Sequence, residues 1–390
     1  MSAAVADSSL MQNSVNAFRE QILAAKKNQT PLSIEGGATK NWYGNPNSFA
    51  KLSTTTYQGI LDYQPEELVI TACAGTPLQE IEMALAQRNQ VLAFEPPHFG
   101  DKATFGGAIA AGLAGPARIS TGNLRDFVLG ARLLDGRGND LSFGGKVMKN
   151  VAGYDISRLL PGSLGTLALL LEASVKVLPK PAASLTLRAM ISQAQALKLL
   201  NQWAGQPLPL SASAWIGASN SQQEGELSIR LAGAHAAVSS ASAMITAAIG
   251  AYEVSPTVAA QFWQDLREQD LPCFQITDPG QALYRLALPA SCPPLQFPES
   301  QLNSLVLEWH GQERWWRGPS APDCFATLKK LALAQGGHAT QFKVSNVSTV
   351  NTQRFTLLSE NPLTAGLTIV QQRLRQAFDP AGIFATGRMA

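Results

Sequence analysis

The sequence predicts an α+β protein of two domains, and three observations carry that prediction. Helical and strand periodicities alternate along the chain as far as Leu178. Glycine-rich runs stand beside strand patterns at three places in the same stretch. Pro179-Lys180-Pro181 then closes it, and the composition beyond shifts toward Ala, Gln and Ser with few glycine-rich turns. Two prolines so spaced resist both a helix and a central strand, which suits a domain boundary.

Asn13 or Ser14 is a candidate cap for a first helix whose apolar face is Val15, Phe18, Ile22 and Ala25. Pro31-Leu-Ser-Ile34 reads as a short strand running into Glu35-Gly36-Gly37-Ala38-Thr39-Lys40. Leu68 to Cys73 reads as another strand. Thr76-Pro77-Leu78-Gln79 then has the form of a capping box with proline at the first helical position, so the next helix should bury Leu78, Ile81 and Leu85. A strand is expected over Val91 to Phe94. Phe127 to Leu134 and Asp140 to Phe143 read as paired strands joined by the hairpin signal Asp135-Gly136-Arg137-Gly138. Leu167 to Leu178 is a long strand candidate. Further along, Ser192 to Gly205 and Ala234 to Ile249 read as helices, with strand candidates at Leu227–Leu231 and Leu305–Trp309. A tail helix should turn Leu367, Val370, Leu374 and Phe378 to one side, and Asp379-Pro380-Ala381-Gly382 stops it.

At 390 residues the chain is long enough for two separate cores. A formal net charge of +2 supplies no broad basic field, so nucleic acid is not expected as a partner. Met1 to Asn13 has neither the basic start nor the apolar core of a secretory signal. The longest apolar stretch, Leu167 to Leu171, falls far short of the ~20 residues a membrane helix needs. The sequence therefore reads as cytoplasmic, with any contact at the inner membrane made through a partner. Cysteines at 73, 273, 292 and 324 form no CxxC signature and read as buried free thiols. The histidines at 98, 235, 310 and 338 form no HxxxH or HExxH pair, so no metal site is expected.

Three segments point to chemistry. Gly36-Gly37-Ala38-Thr39-Lys40 follows a strand, where converging backbone N–H groups, a hydroxyl and a cation would complement a pyrophosphate; a tight turn without a ligand is the alternative. The run Thr104-Phe-Gly106-Gly107-Ala108-Ile-Ala-Ala-Gly112-Leu-Ala-Gly115 is made almost wholly of small residues. Such a run suits a flat or charged group passing closely, or else close packing of a helix on a sheet. Neither segment is a G-x-G-x-x-G opening a βαβ helix, which disfavours a Rossmann site. The third, Lys149 to Leu167, carries the turn Gly162-Ser163-Leu164-Gly165-Thr166 into a strand. Three such loops within one domain can wrap a single extended cofactor.

In that order, GGATK, ATFGGAIAAGLAGPARISTGNLRDFVLGARLLDGRG and KNVAGYDISRLLPGSLGTL resemble the FAD domain of the vanillyl-alcohol-oxidase/p-cresol-methylhydroxylase (PCMH-type) flavoproteins, over residues 14–181. The tail FDPAGIFATGRM resembles the C-terminal signature of that family, which returns to the flavin. Ala-Gly-Pro at 114–116, GSLGTL in place of the commoner GSEGTLG, and LEWHGQERW at 307–315 resemble the FAD-binding E subunits of bacterial glycolate oxidases. The resemblance implies a PCMH-type two-subdomain FAD-binding domain over 1–181, a smaller α+β domain over 182–350, and a helix and tail over 351–390 that return to the first domain.

By motif match, Gly36, Gly37, Ala38, Thr39 and Lys40 would cradle the pyrophosphate. Thr104, Gly106, Gly107 and Ala108, with Gly112 and Gly115, would line the flavin side. Gly165 and Thr166 would approach the adenine–ribose end or the flavin edge. Thr39 and Lys40 stand where members with covalent flavin carry histidine, which implies non-covalent FAD. Ala385-Thr386-Gly387 replaces the usual Asn-Pro-Gly, so an amide contact to the flavin ring is not expected. The implied function is a subunit of a heteromeric glycolate oxidase that oxidises glycolate, with a larger FAD subunit and an iron–sulfur subunit as partners. A self-sufficient FAD dehydrogenase for D-lactate or another 2-hydroxy acid, and a flavin-carrying relay or scaffold, are the alternatives. Oxidising a 2-hydroxy acid needs a base and a carboxylate clamp. The candidates are His98, just before the second glycine run, and His310 with Glu308 and Arg314. Their structural alternatives are a loop histidine bonded to backbone, and an exposed strand end with Trp309, Trp315 and Trp316 packed beneath.

Overall fold

The computed structural model describes residues 8–145, 155–218, 224–296, 303–345, 365–384 and 387–389. The chain divides into two compact units. The first comprises Met1–Leu113, Asn123–Lys180 and Thr352–Ala390, and the second comprises Ala114–Gly122 and Pro181–Asn351.

In the first unit the opening helix runs over Ser8–Asn28, beginning ahead of the expected cap. Its stripe Val15, Phe18, Ile22 and Ala25 is buried against Leu52, Tyr57, Leu169 and Leu171. A five-stranded antiparallel sheet carries this core. Its order is Ile60–Gln64, Val69–Cys73, Leu169–Lys176, Val128–Leu134, Asp140–Gly144. The strands Leu32–Glu35 and Ala50–Ser53 pair in parallel beside it as a separate ribbon. The hairpin forms where the turn residues place it: the Asp135 carboxylate accepts from the N–H groups of Arg137 and Asn139 at 2.8 and 2.9 Å.

Three local expectations change. The helix Leu78–Ala86 buries Leu78, Ile81 and Leu85, but no capping box forms. The fully buried Thr76 hydroxyl donates back to the Cys73 carbonyl at 2.7 Å and accepts from Gly59 N at 2.9 Å, so it has turned toward the strand end. The expected strand over Val91–Phe94 shrinks to Gln90–Val91, paired with Leu178–Pro179. The tail helix Ala365–Phe378 buries Phe378, while Leu367 and Val370 are 45% and 60% exposed, so only its C-terminal end meets a core.

Beyond that helix the tail is seated on the hairpin. Gly136 N donates to the Phe378 carbonyl at 2.9 Å. Asp379 accepts from Ile383 N and Phe384 N at 3.0 and 2.6 Å, which plants Ile383 and Phe384 in the core.

The second unit is an eight-stranded sheet in which every pairing is antiparallel. Its order is Tyr252–Val254, Ala183–Ser192, Glu224–Gly233, Leu210–Gly217, Leu305–Glu308, Glu313–Pro319, Gln281–Ala287, His338–Val344. Leu187, Ala189 and Ile191 join one core with the helices Gln193–Ala204, His235–Ile249 and Pro322–Ala334. The alternate residues face the other way, as a strand's two-residue period requires. There Trp263 of the helix Pro256–Glu268 donates to Thr186 at 2.8 Å, and Arg188 stacks over Phe262 at 4.6 Å.

Ala114–Gly122 falls within residues 1–181 on the sequence reading, yet it packs with the second unit. The Trp309 indole donates to the Gly115 carbonyl at 3.1 Å, Arg118 lies 4.2 Å over the Trp309 ring, and Ser120 donates to the Ser211 carbonyl at 2.9 Å.

Candidate functional site

Within the first unit three loops enclose a cleft of about 790 Å³, its open mouth included. The first loop leaves the strand Leu32–Glu35 and turns at Ala38, whose φ of 62° is left-handed. Such a conformation costs a non-glycine residue ~1–2 kcal/mol and marks a backbone held for a purpose. The second loop ends at Thr104, which caps the helix Phe105–Ala111 by accepting from Gly107 N at 3.2 Å. The third is the turn through Ser163, Leu164 and Gly165, tied to the second by Leu164 N donating to the Ala110 carbonyl at 2.9 Å.

Glycine is required where these loops touch. A Cβ on Gly37 would lie 1.5 Å from the Lys102 carbonyl oxygen, and one on Gly112 would lie 2.6 Å from Gly162 N. Gly112 also ends its helix at φ 63°, a conformation that glycine adopts freely. Close packing therefore accounts for these two positions, and the cleft is the space left between the packed loops.

The wall is mostly backbone and small side chains. Among the described residues the N–H groups of Gly37, Ala38 and Thr39 donate to no protein acceptor, so they remain to bind an anion. Lys40 lines the cleft, its ammonium 3.0 Å from the His98 carbonyl, and the Thr39 hydroxyl donates to the same carbonyl at 2.8 Å. Glu35 also lines it, with its carboxylate 2.9 Å from Lys51, which offsets the negative charge. Arg388, brought in by the tail, is the second cation of the lining.

Of the residues singled out by sequence, Gly36, Gly37, Ala38, Thr39, Lys40, Thr104, Gly106, Gly107 and Gly165 line the cleft. Ala108, Gly112, Gly115 and Thr166 do not. Ala108 is buried within the helix, Gly112 packs on Gly162, Gly115 belongs to the second unit, and the Thr166 hydroxyl donates to the Ser163 carbonyl at 2.7 Å. Lys149 to Tyr154, and Ala385 and Thr386, lie outside the described residues. Sequence reasoning passed over Thr54, Ser163 and Arg388 as lining residues. The last two sit inside quoted motifs, whereas Thr54 carries no local signal.

The catalytic candidates are placed elsewhere. The His98 ring turns to Glu82, with Nε2 3.1 Å from Oε1, and does not line the cleft; its carbonyl serves as a strut for the first loop. His310 and Arg314 lie in the second unit. His310 Nδ1 is 3.0 Å from the Ser213 hydroxyl, and burial pushes its imidazole down to about 4. Arg314 is fully buried and donates to the carbonyls of Gly311, Pro293 and Cys292 at 3.0, 2.6 and 2.5 Å. With those donors committed to main chain it forms no carboxylate clamp. Glu308 accepts from the Trp315 indole at 2.8 Å and is 6% exposed, so this strand end is buried rather than solvated.

A family model described as an FAD binding domain matches residues 11–144, the segment that builds two of the three loops. Along nearly its whole length the chain is similar to the glycolate oxidase subunit GlcE of Escherichia coli (strain K12). The two are 42% identical over 373 residues, covering 96% of each. The chain belongs to the GlcE family of glycolate oxidase subunits. This family sits among FAD-dependent oxidoreductases. The chain is 36% identical to the glycolate oxidase subunit GlcD of Bacillus subtilis (strain 168), over 34% of this chain and 28% of that protein. It is 31% identical to a D-lactate dehydrogenase of Archaeoglobus fulgidus, over 40% of this chain and 35% of that one. Among solved structures, alkyldihydroxyacetonephosphate synthase superposes with a TM-score of 0.64 at 15% identity, covering 94% of this chain and 74% of the other, a likeness of fold. The fold is the PCMH-type α+β fold, and FAD is its cofactor. The lining fits that cofactor by its glycine-rich wall, its loop N–H groups without a protein acceptor among the described residues, and its two cations.

Proposed function

We propose that this chain is the FAD-binding subunit of a heteromeric glycolate oxidase, in which glycolate becomes glyoxylate and electrons leave through an iron–sulfur partner subunit beside a larger FAD subunit. The observation that carries this reading is likeness to one glycolate oxidase subunit across 96% of both chains, with an anion-ready cleft of which two loops lie in the segment that the FAD-domain model matches. FAD, when bound, supplies the hydride acceptor for the hydroxyl-bearing carbon. The N–H groups of Gly37, Ala38 and Thr39, with Lys40, hold the pyrophosphate without covalent attachment. Thr104, Gly106 and Gly107 would line the flavin side, and Gly165 would approach the adenine–ribose end or the flavin edge. The four cysteines stand far apart in sequence, which supports assigning the iron–sulfur centre to a partner.

A second reading, a flavin-carrying subunit that leaves substrate chemistry to its partner, is favoured by one observation. No histidine lines the cleft among the described residues. One experiment separates the two. The purified chain is scanned in the visible before and after acid precipitation, then mixed anaerobically with glycolate, alone and with its partner subunits. Yellow colour released to the supernatant supports non-covalent FAD, and a colourless folded protein refutes the cofactor assignment. Bleaching of this chain's flavin with partners present supports glycolate oxidation here. An active complex in which glycolate never bleaches this chain's flavin supports the carrier reading instead, and full complex activity after disruption of the first glycine loop counts against both readings.

A further inference from the structure

We infer that Arg388 is a cationic ligand of the FAD pyrophosphate, so that the tail of the chain completes the first glycine loop. The inference rests on the cleft being the FAD site. Arg388 is 8% exposed and lines the cleft. Its Nη2 donates to the carbonyls of Lys40, Asn41 and Tyr43 at 3.3, 3.3 and 2.9 Å, gripping the turn that immediately follows Gly37-Ala38-Thr39. Its own carbonyl accepts from Asn45 N at 2.9 Å, and the Asn45 side chain donates to the Gly387 carbonyl at 2.9 Å. The tail and the first loop are thus laced from both sides.

One donor is left over. Arg388 Nε is buried and has no acceptor among the described residues. A buried guanidinium N–H without a partner costs free energy that an anionic oxygen would recover. Burial also holds this guanidinium below its usual range, and the Glu35 carboxylate only partly opposes that. The desolvated cation thus keeps one unpaired donor, Nε, in a cleft that is also lined by the acceptor-free N–H groups of Gly37, Ala38 and Thr39. A pyrophosphate, with charge on both phosphates, satisfies the loop and Arg388 together.

The test uses full-length apo-protein, with FAD binding followed by flavin fluorescence and ADP binding by competition. Arg388→Gln should weaken FAD about 10- to 100-fold, the loss expected for one charge-assisted hydrogen bond. ADP should weaken by the same factor, and the dependence of FAD affinity on salt should flatten. Arg388→Lys should recover part of each loss. Asn45→Ala loosens the same tail without removing a charge, so it should lower affinity less and keep the wild-type salt dependence. Folded Arg388→Gln that binds FAD within about twofold of wild type overturns the inference. So does a loss of FAD affinity with ADP affinity intact, which would place Arg388 at the ring. If wild type itself binds no FAD, the cofactor reading of the cleft fails first and carries this inference with it.

Discussion

Gly37→Ala is the sharpest probe of how the cleft works. A Cβ there would stand 1.5 Å from the Lys102 carbonyl oxygen and 2.5 Å from its carbon, whereas ordinary contact begins at 3.4 Å. Both obstacles are main chain, so no rotamer change relieves them, and the loop must move by about 1.9 Å relative to Lys102. A displacement of that size carries the N–H groups of Gly37, Ala38 and Thr39 beyond the ~2.7–3.2 Å range of a hydrogen bond to phosphate. Hydrogen bonds to a charged acceptor contribute ~1.5–3 kcal/mol each. Losing two at the lower bound amounts to about 3 kcal/mol, or roughly 100-fold in the Kd for FAD. The accompanying overpacking should lower global stability by only ~1–3 kcal/mol. Apo-protein is titrated with FAD by fluorescence, and folding is followed by circular dichroism. Gly205→Ala is the control, because its Cβ would meet only Gln202 O at 3.6 Å and its φ is −83°. Folded Gly37→Ala that binds FAD within about threefold of wild type would refute the reasoning.

Arg285 donates to Glu313, which is 2% exposed, and burial raises the Glu313 carboxyl while Arg285 opposes the rise. Glu313→Ala should cost about 2–3 kcal/mol in denaturant unfolding, below the ~3–5 of a fully buried pair because Arg285 keeps part of its side chain in solvent; unchanged stability would remove the need for that counter-ion. His310 has a folded value of about 4 against an ordinary 6.5, so the unfolded chain takes up the proton first as pH falls. Stability from this group is complete above about 6.5 and is lost as pH drops through about 4, by up to ~3 kcal/mol. His310→Asn should flatten that acid limb relative to wild type, and parallel curves would contradict the assignment. Burial pushes the thiols of Cys73 and Cys273 up to about 12. A disulfide-exchange reagent at pH 8 should therefore label half-buried Cys324 first and leave those two silent until denaturant is added.

Much of the first unit is legible because its signals are local. The stripe Val15, Phe18, Ile22 and Ala25 needs only helical spacing to be read, and the Asp135 turn bonds to its own neighbours. The glycine loops are visible for the same reason, though spacing alone does not separate a residue that lines the cleft from one that packs a loop. Gly107 and Gly112 look alike in sequence; Gly112 differs by meeting Gly162, far along the chain. The motif around His310 misleads for a related reason. A histidine, a glutamate and an arginine close together suggest chemistry, yet two of the Arg314 acceptors are carbonyls of Cys292 and Pro293, in a separate segment. Arg388 carries no local signal, because its partners lie in Lys40–Asn45, more than 300 residues away along the chain. Side chains whose partners are remote in sequence carry no local mark of their role.

The path of the chain between the two units has a consequence for synthesis. The first unit is interrupted at Leu113, resumed at Asn123, left again at Lys180 and rejoined at Thr352. Its core contains Ile383 and Phe384, held by Asp379, so a nascent chain that has emerged only through Lys180 lacks part of the interior it must form. Cofactor loading should then wait until the whole second unit has been translated, and a fragment cut at the proline boundary should be an aggregation-prone, incomplete core rather than a minimal flavin domain. For this architecture, complementation between two separately expressed pieces is a better route to dissection than truncation.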